Sequence, residues 1–206
     1  ILPRQIREAV YPPLDIARLS LNGNMDGIAK QGDVPLTAEF LQENRSFSAY
    51  VTAKYQGHSS LQYSKKNYTV KFYTDPAHDD KYRLTFSHWN PEHKYVLKAH
   101  YVDPSMCRNL VCADIWADMV RSRTVIPHRL SVLSNYGSVD GFPIALYIND
   151  NFHGLYTMNL HKDERLFGLE DGAMEAIMNI NHAEGPAAFF REEAVFGEDT
   201  PWEIER

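Results

Sequence analysis

The residues best equipped for chemistry lie between Tyr55 and Phe72. A turn of small residues, Gly57-His58-Ser59-Ser60, leads into Lys65-Lys66-Asn67-Tyr68-Thr69-Val70-Lys71-Phe72-Tyr73, the clearest strand pattern in the chain. Side chains alternate along a strand, so Lys66, Tyr68, Val70 and Phe72 share one face while Thr69, Lys71 and Tyr73 share the other. The apolar members of the first set belong in a core. Lys66 therefore starts on the inner side, where a lysine is costly unless it meets an anion. A lysine projecting from a strand beneath a small-residue turn is how many kinases hold nucleotide phosphates. The alternative is that Lys65 and Lys66 flank an edge strand, where lysines discourage aggregation. The pattern alone leaves both readings open.

Other chemistries find no support. No Gly-rich phosphate loop followed by Lys-Ser/Thr, no dinucleotide fingerprint and no serine nucleophile elbow can be read, and the common protein kinase signatures are missing. Nine histidines are present, but none pair at metalloprotease spacing. His88 and His93 flank Asn90-Pro91 and read as solvated loop histidines, so no metal site is expected. Cys107 and Cys112 lie in a segment that reads as helix. Five residues turn a helix by about 500°, so the two thiols point to different faces and form no disulfide.

The elements that must position these residues are mostly strands. Ile16–Leu21 alternates and stops at Asn22-Gly23-Asn24; Val34–Leu41 follows; Ser46–Tyr55 carries Phe47, Ala49 and Val51 on one side. After the lysine strand come a polar loop over Thr74–Asp80, a strand at Tyr82–Phe86 and another at Lys94–His100. One long helix is expected next, with Asp103 as N-cap and Pro104 as its first residue. Met106, Leu110, Ala113, Ala117 and Val120 mark its buried stripe. Phe142–Ile148 and Phe152–Met158 form a hairpin around Asn149-Asp150-Asn151. Met174–Ile180 reads as a strand and Ala187–Glu193 as a short helix, while residues 1–14 read as an approach segment. The expected fold is α+β, a largely antiparallel sheet with one long central helix, in a single domain over residues 1–206.

Composition agrees with a folded domain, at 44% hydrophobic and 23% charged residues. A net charge of −6 argues against nucleic acid as a partner, which needs a basic face. No apolar run is long enough to span a membrane, and no signal peptide is visible.

Three blocks, in order, carry a family resemblance. Gly57-His58-Ser59-Ser60 with Lys65-Lys66-Asn67-Tyr68-Thr69-Val70-Lys71-Phe72 is similar to a Gly-x-Ser-Ser…Lys-Lys-x-Tyr-x-x-Lys-Phe signature. Tyr95-Val96-Leu97-Lys98-Ala99-His100-Tyr101-Val102-Asp103, with Ser105 and Arg108-Asn109, resembles a second block, and Ile148–Tyr156 resembles a hairpin ending in Gly-Leu-Tyr. Together they resemble the CotH kinase family, the spore-coat-protein-H-like atypical protein kinases. The resemblance implies an atypical kinase-like N-terminal part that binds ATP and magnesium and phosphorylates protein serine or threonine. Carried over by position, Lys66 and Lys71 would contact phosphate beneath the Ser59-Ser60 turn, Arg108 would add positive charge, and Asp103 would organise the site. Asp103 also reads simply as a helix cap, and Gly154 and Tyr156 as structural residues of the hairpin.

The chain departs from the family in three places. Gln56 stands where the family has an arginine before the turn. The family's glutamate shortly after Gly-Leu-Tyr has no counterpart at its spacing; Asp163 or Glu164 would be its substitute. The C-terminal helical portion, with its catalytic and metal-binding aspartates, is not recognisable, so the chain reads as incomplete at its C-terminus and its catalytic residues are unknown. The alternative to a kinase is a non-catalytic structural or interaction module of a phage tail, baseplate or surface assembly. Expected partners are accordingly a protein substrate or an assembly partner. The expected location is cytoplasmic synthesis followed by spore coat or phage tail.

Overall fold

Period-two alternation dominates the computed structural model, which describes residues 16–43 and 45–169 and the backbone of strands at 177–180 and 202–205. The expected approach segment at 1–14 and short helix at 187–193 lie outside the described residues. Seven strands form one sheet: β1 (Ala17–Asn22), β2 (Val34–Gln42), β3 (Arg45–Gln56), β4 (Asn67–Tyr73), β5 (Lys94–Lys98), β6 (Gly141–Ile148) and β7 (Asn151–Leu160). On β2 the alternation is almost unbroken, with Val34, Leu36, Ala38 and Phe40 buried and the residues between them exposed.

The sheet closes on itself in the order β1-β2-β3-β4-β5-β7-β6. Neighbours pair antiparallel except at the closure, where β1 runs parallel to β6 with Leu19 opposite Leu146. This overturns the expected α+β fold with a long central helix: the protein is a mostly-β, closed, mixed barrel. The local alternation identifies strands, but nothing local signals that the first and sixth will meet. Closure leaves no free edge in this sheet, and β4 is hydrogen-bonded to β3 on one side and β5 on the other. Lys65 and Lys66 therefore do not flank an edge strand.

A barrel of this size has just enough room for its own side chains. Leu19, Ala38, Phe40, Val51, Val70, Phe72, Tyr95, Leu97, Ile144, Leu146, Tyr156 and Met158 fill it. At one end the filling is aromatic: Phe40 stacks on Phe47 at 5.1 Å between ring centroids and meets Phe86 at 5.2 Å, and Phe86 lies 5.3 Å from Phe142.

Outside the barrel sit α1 (Arg108–Arg121) and the single-turn α2 (His128–Ser131). The helix begins four residues later than Asp103 suggests, with Cys107 as N-cap. Met106 explains the delay, because its backbone is left-handed (φ 55°) and cannot belong to the helix. Of the expected stripe, Ala113, Ala117 and Val120 are buried, Leu110 is half-buried, and Met106 lies before the helix. Cys107 and Cys112 are free and exposed. The expected strand at Tyr82–Phe86 is not formed; this segment contributes one isolated bridge, Leu84 to Glu92. Strands β8 (Ile177–Ile180) and β9 (Trp202–Glu205) pair antiparallel in a separate two-stranded sheet. Among the described residues no helix is long and apolar enough to cross a membrane.

Candidate functional site

Three strands end together at one rim of the barrel and set a polar row there. Gln56 on β3 lies opposite Asn67 on β4, and Lys98 on β5 follows Leu97, which faces Tyr68. Tyr68 and Leu97 fill the interior, so their neighbours Asn67 and Lys98 project outward. The outward row would be open to water, but two loops fold over it: the turn at Ser59–Gln62 and the chain from Ala99 to Arg108. Between them lies a cleft of about 310 Å³, lined by Ser60, Tyr63, Lys65, Asn67, Lys98, His100, Tyr101, Val102, Asp103, Arg108 and Asn109.

Asn67 fastens both covers. Its Oδ1 accepts the Ala99 N–H at 2.7 Å, and its Nδ2 donates to Ser60 Oγ at 3.2 Å. Gly57 permits the Ser60 contact: φ is +117°, and a Cβ there would overlap Ser60 Oγ. On the other side the chain leaves β5 through His100, in a left-handed conformation (φ 49°). His100 Nε2 donates to Thr157 Oγ1 at 2.6 Å, and that hydroxyl donates to Asn159 Oδ1 at 2.6 Å. Thr157 and Asn159 are both buried. Burial lowers the His100 pKa, and Lys98 and Lys65 add to this against the opposing pull of Asp103. His100 is therefore a neutral imidazole at pH 7, with Nε2 carrying the proton.

The cleft is rich in cations and poor in free anions. Among the described residues its only carboxylate is Asp103, which accepts from the Ser105 hydroxyl at 2.6 Å and from the Arg108 backbone N–H at 3.2 Å. The Arg108 guanidinium approaches it at 3.4 Å. The Ser105 hydroxyl, followed by the Arg108 N–H, holds the Asp103 pKa below the usual carboxylate range despite its desolvation. Asp103 thus still serves the first free N–H of α1, from an extra turn upstream of the cap position.

Two lysines differ in how far they are used up. Lys65 Nζ donates to Ala99 O at 2.9 Å and Leu155 O at 2.5 Å and lies 4.4 Å from the centroid of the Tyr156 ring. It is a staple joining β5, β7 and the loop before β4. Gly154 makes room for it, with φ +138° and a Cβ position only 3.3 Å from Lys65 Cε. Gly154→Ala is expected to cost about 1–3 kcal/mol of stability, measured by urea unfolding; a loss under about 0.5 kcal/mol would contradict this account.

Lys98 is less committed. Its Nζ donates to Gln56 Oε1 at 3.0 Å, and among the described residues it forms no ion pair. Burial lowers its pKa. Among the described residues, two of its three N–H groups have no partner and remain for a ligand. Gln56, where the resemblance expects arginine, acts here as the acceptor that orients Lys98.

Of the six residues singled out from sequence, the cleft gathers Ser60, Asp103 and Arg108. Ser59 lies in the same turn but outside the lining. Lys66 precedes β4 and donates to Leu61 O at 2.6 Å, tying down the turn. Lys71 projects outward and pairs with Asp33 at 3.0 Å, away from the cleft. Asp163 lies 3.6 Å from Lys94 and has no contact with the cleft lysines; Glu164 also lies outside the lining. The sequence reading missed Lys98, Lys65 and His100. Lys98 had a signal: a charge within the otherwise apolar run Tyr95-Val96-Leu97-Lys98-Ala99.

The described residues suit a phosphate better than a bare cation. Among them no group of three or more His, Cys, Asp or Glu side chains is placed to hold a metal, and Asp103 is already engaged. Magnesium often arrives largely on phosphate oxygens and keeps several waters, so these residues would hold the phosphates rather than the ion.

No curated protein sequence matches the chain. A family model described as CotH kinase protein matches residues 53–167, more than half of the chain. The match begins within β3 and spans every residue lining the cleft. The chain belongs to the CotH kinase family.

Proposed function

We propose that the cleft holds the phosphates of ATP, entering with magnesium, and that the domain serves phosphoryl transfer to protein serine or threonine. The observation that supports this most is Lys98, a desolvated ammonium group with unused donors beside Lys65 and Arg108. Phosphoryl transfer relies on positioning and charge stabilisation more than on covalent chemistry from the protein. In this reading Lys98 and Arg108 meet phosphate oxygens. Ser60 supplies a hydroxyl, and Asn67 holds the two covering loops in place. The rings of Tyr63 and Tyr101, stacked at 4.8 Å, form an aromatic wall against which a base can pack. The carboxylates that align a nucleophile and bind magnesium are not supplied by the described cleft, so transfer requires residues beyond it.

The test is thermal unfolding of the chain against increasing Mg-ATP, with tripolyphosphate in a parallel series. Ligand at a hundredfold its Kd adds about 2.7 kcal/mol of stability. A dose-dependent rise in Tm with both supports a phosphate site, and no rise with either removes it.

One observation favours a second reading, an interaction module in a larger assembly. Val111, Ile115 and Met119 recur every four residues on the outer face of α1, all exposed, with Trp116 beside them. An apolar stripe of this kind is commonly a contact surface. Retained folding without any nucleotide response would shift the balance to this reading.

A further inference from the structure

We propose that Lys98 is a reactive amine that captures anionic aldehydes, forming a reversible imine within the cleft. The inference does not depend on nucleotide binding; it requires only that an anion can enter and that the amine can attack.

Four features of the site lead to it. First, Lys98 Nζ is held by a neutral amide oxygen, Gln56 Oε1 at 3.0 Å, and not by a carboxylate. A carboxylate partner would favour the ammonium form; an amide oxygen does so much less. Second, the side chain stands at the edge of a desolvated strand end, where burial lowers its proton affinity. A larger fraction of it is therefore the neutral nucleophile at a given pH than for a surface lysine. Third, Lys65 and Arg108 line the same cleft and offer positive charge to the anionic part of a ligand. Fourth, the cleft is large enough, at about 310 Å³, for a small phosphorylated or carboxylated carbonyl compound.

The chemistry balances without a further reagent. The Nζ lone pair attacks the carbonyl carbon, forming a C–N bond, and the carbonyl π electrons move to oxygen. A proton passes from nitrogen to that oxygen to give a carbinolamine. Loss of water then leaves the C=N bond. Nothing is oxidised or reduced, and addition of water reverses the sequence.

Other lysines of the barrel lack this combination. Lys71 is paired with Asp33 and Lys94 with Asp163. The Lys65 amine is occupied by two carbonyl oxygens and a ring face. Lys66 is turned to the Leu61 carbonyl outside the cleft.

The experiment treats the native chain briefly with substoichiometric pyridoxal phosphate, traps imines with borohydride, and maps them by tryptic peptide mass. Reaction at Lys98 blocks cleavage there and yields a peptide running from Tyr95 to Arg108. Labelling of Lys98 at least about tenfold faster than Lys54 and Lys81, with pyridoxal lacking the phosphate losing that advantage, supports the proposal. Labelling spread over the surface lysines with no preference for Lys98 overturns it. Equal rates with and without the phosphate overturn the anion requirement. Stabilisation by Mg-ATP is read separately on untreated protein. Selective labelling without nucleotide stabilisation keeps this inference and removes the nucleotide reading; the reverse result does the opposite.

Discussion

With the cleft holding the phosphates of ATP as proposed, Lys98→Ala is expected to abolish most of the stabilisation by Mg-ATP, whereas Lys66→Ala and Lys71→Ala are expected to keep it. A hydrogen bond to a charged group contributes about 1.5–3 kcal/mol, and Lys98 has two N–H groups that none of the described residues uses. Losing them weakens binding roughly 10- to 100-fold. At a ligand concentration that gives the native protein about 2.7 kcal/mol, a hundredfold weaker site gains only about 0.4 kcal/mol. The variant folds, because the amide left behind at Gln56 is half-buried and within reach of water. Lys71 provides the contrast: its charge is satisfied by Asp33 on another part of the barrel. Lys66→Ala frees the Leu61 carbonyl and loosens the turn, which lowers Tm in the absence of ligand while leaving the ligand-induced increment. Equal loss of the increment in all three variants would show that general basicity, not the geometry at Lys98, determines binding.

Phe40→Ala costs about 3–5 kcal/mol of folding stability, among the large losses expected from one side-chain truncation in the barrel. Phe40 is 1% exposed and packs against three rings, Phe47, Phe86 and Phe142, supplied by β3, the loop after β4, and β6. Removing it leaves a void that a closed sheet cannot collapse to fill, since its strands are fixed by hydrogen bonds on both sides. For a protein of this length each kcal/mol moves Tm by roughly 2–4 °C, so a fall of about 6–20 °C follows. Calorimetry or denaturant titration measures it. A cost below about 1 kcal/mol would mean that the aromatic end of the barrel is loosely packed.

How far the sequence discloses this structure depends on how local each signal is. Alternation over Val34–Leu41, Ser46–Tyr55 and Phe142–Met158 gives strands and a hairpin because side-chain parity is a local property. Barrel closure is not local, as Leu19 and Leu146 are joined by nothing between them that announces the pairing. The start of α1 was obscured for a different reason. Asp103-Pro104 has the residue types of a cap and first turn, yet Met106 takes a left-handed backbone and Asp103 reaches Arg108 N–H from further away. Within the site, Ser60, Asp103 and Arg108 were legible from motif order. Parity assigned Lys66 inward, but β4 starts at Asn67 and parity has no force before a strand begins. Lys98 was hidden because its role depends on Gln56, two strands away, and on the loops that cover both.

The parallel pairing of β1 with β6 also sets a timetable. Ala17 must wait for Ile144, and at a synthesis rate of roughly 5–20 residues per second that delay is about 6–25 s. During that interval β1 to β5 can form an antiparallel meander, since each of those strands pairs with its predecessor. The nascent meander carries two unpaired margins, β1 and β5, which are later sealed by the single β6–β7 hairpin. That hairpin is therefore the closing piece of the barrel. Loosening its turn at Asn149-Asp150 prolongs the period in which β1 can pair with the wrong chain, and it does so without removing a core contact from the finished protein.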